Sequence, residues 1–77
     1  MDLKGLVEYI AQSLVDDPSQ VQVDVAESAS SISLELHVAQ GDMGRVIGKG
    51  GKIANAIRTL VRVAAMREGK RVNLEIV

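Results

Sequence analysis

Cysteine is absent from the chain, which excludes both a disulfide framework and a thiolate metal site. Aromatic side chains are almost as scarce. Tyr9 is the only one, which disfavours modules that stack bases on aromatic platforms, RRM and OB folds among them. One histidine, His37, and the lack of metal-ligand spacing or an acid–base pair leave little for an enzyme to work with. His37 reads as a strand surface residue. Ser28, Ser30 and Ser31 have no base beside them and read as turn formers rather than nucleophiles. The chain has one proline, and no run approaches the roughly 20 apolar residues of a membrane span. The opening MDLKGLVEYIAQ is acidic and amphipathic and does not resemble a signal peptide. The expectation is a cytoplasmic, non-catalytic protein with no membrane partner, no metal and no cofactor.

What is present points to one folded domain, 1–77. Apolar residues make up 47% of the chain, too many for a disordered tail. A domain this small buries only about 60% of its unfolded surface, so its margin of stability is thin. The net charge of −1 conceals a strong asymmetry. Residues 1–44 hold Lys4 and eight acids, whereas residues 45–77 hold eight bases and two acids, a split of −7 against +6. Such a division points to a polyanion partner for the basic half, or to two differently solvated faces.

Periodicity places the elements. Leu3, Leu6, Val7, Ile10 and Leu14 recur at helical steps and predict an amphipathic helix over 2–15, ended by Asp17-Pro18. Val21, Val23 and Val25 share one face of a strand over 21–27, and Ile32, Leu34, Leu36 and Val38 one face of a second, with a turn at 28–31 making a hairpin. Asp42 is placed as the N-cap of a short helix, 43–47. A longer helix spans 52–67 with a core stripe of Ile53, Ile57, Leu60, Val61 and Ala64, while Asn55, Arg58, Thr59 and Arg62 lie on the other side. Gly69 fits its C-terminal cap, and Val72, Leu74 and Ile76 alternate in a last strand over 71–77. The predicted class is α+β with order α-β-β-α-α-β. The two helices between the second and third strands are long enough for a parallel crossover, giving a three-stranded mixed sheet with the helices on one face.

The segment RVIGKGGKI, residues 45–53, carries the chemistry. The nucleotide-triphosphate loop needs four residues between its glycines and a hydroxyl after its lysine. Here Gly44 and Gly48 are separated by three, and Gly50 follows Lys49. The dinucleotide fingerprint fails too, because Ile53 stands where its last glycine belongs and a helix precedes it where a strand is required. What fits is a G-x-x-G turn, Gly48-Lys49-Gly50-Gly51, between a short helix and a long one. A side chain at Gly48 or Gly51 is expected to obstruct the approach of a phosphate, glycine suits so sharp a reversal, and the opening N–H groups of the long helix favour an anion. Lys49 and Lys52 add charge, and Val46, Ile47 and Ile53 divide between packing the helix junction and lining an apolar groove.

VIGKGGKI resembles the signature of KH domains, hydrophobic-Ile-Gly-x-x-Gly-x-Ile, and the extra helix and strand before it resemble the type II arrangement. With AIRTLVR and RVNLEIV, the chain is similar over nearly its whole length to small stand-alone bacterial KH-domain RNA-binding proteins. The resemblance implies that the loop clamps the backbone of about four unpaired nucleotides. It implies contact residues Arg45, Val46, Ile47, Gly48, Lys49, Gly50, Gly51, Lys52, Ile53 and Asn55. It also implies a homodimer, or pairing with a second, larger KH-containing RNA-binding protein, and a role as an RNA chaperone affecting cell elongation and division. The alternative is a protein-interaction module on the same scaffold that does not itself bind RNA.

Overall fold

The computed structural model describes residues 2–77. Its order is α1 (Leu3–Leu14), β1 (Gln22–Glu27), β2 (Ser31–His37), α2 (Met43–Ile47), α3 (Lys52–Arg67) and β3 (Arg71–Ile76). Three single 3-10 turns join them, at Pro18–Gln20, Gln40–Asp42 and Lys49–Gly51. The expected element order and α+β class are therefore observed, and the 3-10 turns are additions too short for periodicity to reveal.

The sheet runs in the order β1-β2-β3, with β1 antiparallel and β3 parallel to β2. Ile32, Leu34 and Leu36 of the central strand are buried with Val23 of β1 and Leu74 of β3. These side chains meet Leu3, Val7 and Ala11 of α1 and Ile57, Val61 and Ala65 of α3 in one core. Gln22, Asp24, Ser33, Glu35, Asn73 and Glu75 point the other way and are exposed, so the helices cover a single face of the sheet.

Two aliphatic assignments differ from expectation. Leu60 is 54% exposed. The buried face of α3 is set by Ala54, Ile57, Val61, Ala64 and Ala65, which at 100° per residue lies roughly 50° from the expected stripe of Ile53, Ile57, Leu60, Val61 and Ala64. Small alanines let the helix sit close against its neighbours, and Leu60 is left at the rim. Val25 is 42% exposed because β1 is an edge strand whose distal half leaves the cover of the helices; its burial pattern reads buried only at Val23.

Asp42 also departs from its expected part. It occupies the N-cap position of α2 but makes no side-chain capping bond to the backbone of that helix. Its carboxylate instead accepts the backbone N–H groups of Asp16 and Asp17, each at 3.1 Å, and pairs with Arg45 Nε at 3.2 Å. Arg45 Nη2 also donates to Asp16 at 2.8 Å. Asp42 is 4% exposed and thereby ties the chain leaving α1 to the start of α2. The Asp16 and Asp17 N–H groups, with Arg45 adding its charge, hold the Asp42 carboxyl below the usual aspartate value and outweigh its burial. A depressed folded-state pKa means that this stabilisation is complete above the ordinary value of 3.8 and is lost as pH falls below it toward the folded-state value. Asp42→Asn is accordingly expected to melt at a lower temperature than wild type at pH 7 by circular dichroism. The gap is expected to narrow as pH falls below 3.8. A gap independent of pH would refute the assignment.

Candidate nucleic-acid interface

The reversal between α2 and α3 is made by glycines in conformations that other residues avoid. Gly48 has φ 75° and ψ 171°, a region open essentially to glycine alone. Gly50 and Gly51 are left-handed, at φ 65°, ψ 19° and φ 78°, ψ 12°. The three do not serve the same purpose. A Cβ on Gly48 would lie 2.7 Å from Ile53 Cγ1 and 3.0 Å from the Ile53 nitrogen, so Gly48 faces inward, and its bareness is demanded by the close packing of α2 against α3. This corrects the expectation that a side chain at Gly48 would obstruct an incoming phosphate. A Cβ on Gly50 would meet nothing within 4 Å, and one on Gly51 only Asn55 Nδ2 at 3.8 Å. These two form the open surface of the turn.

Hydrogen-bond accounting shows what that surface offers. Gly51 donates to the Gly48 carbonyl at 3.1 Å, Lys52 donates to that of Lys49, and Gly48 donates to that of Gly44 at 2.9 Å. The N–H groups of Lys49 and Gly50 have no protein acceptor among the described residues. The first turn of α3 carries no acidic residue and no side-chain cap, so the positive end of its dipole is not neutralised there. Lys49 and Lys52 are exposed and make no ion pair among the described residues. A donor-rich, cationic turn facing water is suited to an anion.

The other candidates separate by burial. Val46 is fully buried; its side chain belongs to the core and is not available to a ligand. Ile47, at 36% exposure, is a solvent-facing aliphatic beside the turn, and Ile53 is half-buried beneath Gly48. Arg45 is exposed but engaged by Asp16 and Asp42. Asn55 stands next to Gly51 and accepts from Arg58 Nη1 at 3.3 Å. Arg58, placed on the solvated side of its helix by sequence, is half-buried, and its Nε donates to the Leu74 carbonyl at 3.1 Å. On the far face of the sheet, ligand atoms of Asp24, Glu35 and His37 lie within 4.8 Å of one another, with His37 Nε2 3.0 Å from Asp24. The strand register assembles that group, which has no linear signature because Asp24 is on the neighbouring strand.

A family model describing the KhpA/KhpB KH domain matches residues 4–76. The RNA-binding protein KhpA of Clostridium acetobutylicum is 56% identical over 75 residues, covering 97% of this chain and 100% of that protein. That of Borreliella burgdorferi is 48% identical over 71 residues, covering 92% and 87%. Among solved structures, Era in complex with MgGDPNP and nucleotides 1506–1542 of 16S ribosomal RNA superimposes with a TM-score of 0.69 at 22% identity. It covers 96% of this chain, which spans only 28% of that one, and the likeness is one of fold. The chain belongs to the KhpA/KhpB family of KH domains.

The glycine geometry sets an order of sensitivity. Gly50→Ala is expected to cost about 1 kcal/mol, the penalty of a left-handed Cβ in open space. Gly48→Ala is expected to cost about 2–3 kcal/mol or more, because conformational strain and a clash with Ile53 coincide. Denaturant melts of the two variants would measure the difference, and equal losses would refute the inward placement of Gly48.

Proposed function

We propose, from the chain's place in the KhpA/KhpB KH-domain family, that it is a non-catalytic protein that binds single-stranded RNA and grips its backbone at the 48–51 turn. The observation that carries this reading is the pair of N–H groups at Lys49 and Gly50 without protein acceptors, flanked by two lysines that make no ion pair, among the described residues. That relatives 56% and 48% identical to the chain are RNA-binding proteins supports it. Phosphate oxygens would take the N–H groups and lysine ammoniums, while bases lie against Ile47 and the exposed side of Ile53. Arg45, through its pairing with Asp16 and Asp42, acts chiefly by holding α2 in place. Two or three phosphate contacts imply a log–log salt slope of about −1.4 to −2, at about −0.7 per contact on a single strand. The double substitution Lys49→Asp/Gly50→Asp is expected to abolish binding in a polarisation assay while preserving the circular dichroism spectrum, since Gly50 has open space around it and aspartate tolerates the left-handed region. Normal binding by that variant would overturn the loop assignment.

A single site covering so few nucleotides gives affinity on the order of micromolar, and joining two sites raises it through effective concentration. The family resemblance implies pairing, and a surface supports it. Leu60, Val63 and Met66 are 54%, 52% and 69% exposed along one side of α3. With Leu6, Ala64, Arg67 and Glu68 the first two line an open hollow. A two-fold contact requires a patch complementary to itself, and an apolar stripe with Arg67 and Glu68 side by side meets that condition. A second copy is the proposed occupant, with the KH domain of a larger partner as the competing one. Leu60→Glu is expected to convert a dimer to a monomer in light scattering and to weaken RNA binding without altering the 48–51 turn. A wild-type monomer at high micromolar concentration would refute self-association. The proposed setting is the cytoplasm, in RNA chaperoning linked to cell growth and division.

A further inference from the structure

The far end of β1 is an edge without a partner. Ser28 N–H donates to the Ser31 carbonyl at 2.8 Å, and the register runs on from that pair through Ala26 with Ser33, Asp24 with Glu35 and Gln22 with His37. In an antiparallel ladder these pairs exchange the hydrogen bonds, so the main chain of Val23, Val25 and Glu27 faces away from β2. No strand lies on that side. Val23 is 2% exposed and its stretch of edge is covered, whereas Val25 is 42% exposed and Glu27 is exposed as well. No side chain bonds to the main chain of either among the described residues. Val25 and Glu27 therefore hold out N–H donors and carbonyl acceptors to a chain lying alongside.

A hollow of about 130 Å³ opens beside this edge. At about 30 Å³ per water it has the room of about four waters, the size of one aliphatic side chain. Val25, Leu3 and Ile32 form its apolar wall, and Asp2, Glu27 and Glu68 also line it, with Lys4. Asp24 and Glu35 stand on the bare face of the sheet across the strand, with His37 hydrogen-bonded to Asp24. The bases among these acids are Lys4 and Lys70, and Lys70 is already paired with Glu27. Glu68 ends α3, and the glycine turn begins it. The 16 residues between them, at 1.5 Å each, put about 24 Å between hollow and turn.

We propose that this end of β1 is a docking edge for a protein partner, which supplies an extended basic segment of lysine or arginine alternating with an aliphatic residue. The segment adds as an antiparallel strand, the pairing more stable per residue. Its aliphatic residue opposite Val25 enters the hollow, and the flanking bases lie on the other face beside Asp24 and Glu35. A second copy of this chain would bring its own Asp24 and Glu27 to the seam, and like charges oppose that pairing. An RNA strand would meet the same acids. The edge leaves the 48–51 turn free, so partner and RNA bind together.

The test uses the full chain, labelled with nitrogen-15, and the capped peptide Lys-Val-Lys-Val-Lys raised to millimolar concentration. The largest amide shifts are expected at Val25 and Glu27, with slower hydrogen exchange at both. Glu-Val-Glu-Val-Glu is expected to bind about tenfold more weakly or worse, through the charges alone. Methylating the peptide nitrogens of both valines removes the donors that face β1 and is expected to abolish the shifts without touching the protein. Val25→Pro is expected to do the same and to leave RNA binding unchanged, since proline is tolerated where a strand N–H faces solvent; its melting temperature is recorded to show that it is folded. Absence of shifts at Val25 and Glu27 would overturn the proposal. So would shifts that survive methylation, which mark charge attraction without strand addition. Shifts at the same amides on adding oligouridine would assign the edge to RNA, and protection lost on diluting the free protein would assign it to a second copy; either result overturns the proposal.

Discussion

The contact between Gly48 and Ile53 is the constraint on which the candidate site depends. A five-residue helix such as α2 has almost no stability of its own, and it is fixed by Val46 in the core and by the bare Gly48 backbone lying against the first turn of α3. Because Gly48 turns inward, the two glycines after it are turned outward, and the main chain between them faces solvent. The donors left open there are the Lys49 and Gly50 N–H groups, which have no acceptor among the described residues. Close packing on one side of the reversal thus produces open donors on the other.

Asp42 supports this arrangement from the opposite end of α2. Its carboxylate satisfies N–H groups where α1 gives way to the hairpin and also holds Arg45, so the first helix, the linker and the second helix meet at one buried charge. No buried side-chain polar atom lacks a partner among the described residues. For a domain with a thin stability margin this economy matters, since an unpaired buried carboxylate costs more than its hydrogen bonds return.

Which features were legible in the sequence follows from the range of the interactions that make them. Element order and the glycine turn were legible because aliphatic periodicity and glycine spacing are local signals, and the sheet topology followed from the crossover length. The partners of Asp42 lie 25 and 26 residues away and the Leu74 carbonyl lies 16 residues from Arg58, so neither link leaves a mark in any short window. Ala54 and Ala65 were passed over because small residues score weakly as hydrophobes, yet they decide which side of α3 is buried. The inward aim of Gly48 was hidden for a similar reason: a motif gives the position of a glycine but not the direction its missing side chain would take.

Register gathers acids on the sheet face that the helices leave bare. Asp24 pairs with Glu35 and Glu35 with Glu75, a carboxylate row across all three strands. Arg71 stands on that same face, while Lys49, Lys52 and Arg58 belong to the helical side together with Asp16, Asp17 and Asp42. Where an RNA strand approaches, a bare face with three carboxylates in a row is the less favourable one to meet it, and the turn with Lys49 and Lys52 the more favourable. Such a contrast biases the orientation in which two charged molecules meet. The effect has a short range, since screening in about 0.15 M salt acts over about 8 Å, less than the 18 Å narrowest extent of the domain. Alignment then takes place in the last moments of approach, as a sorting of orientations rather than a long-range pull.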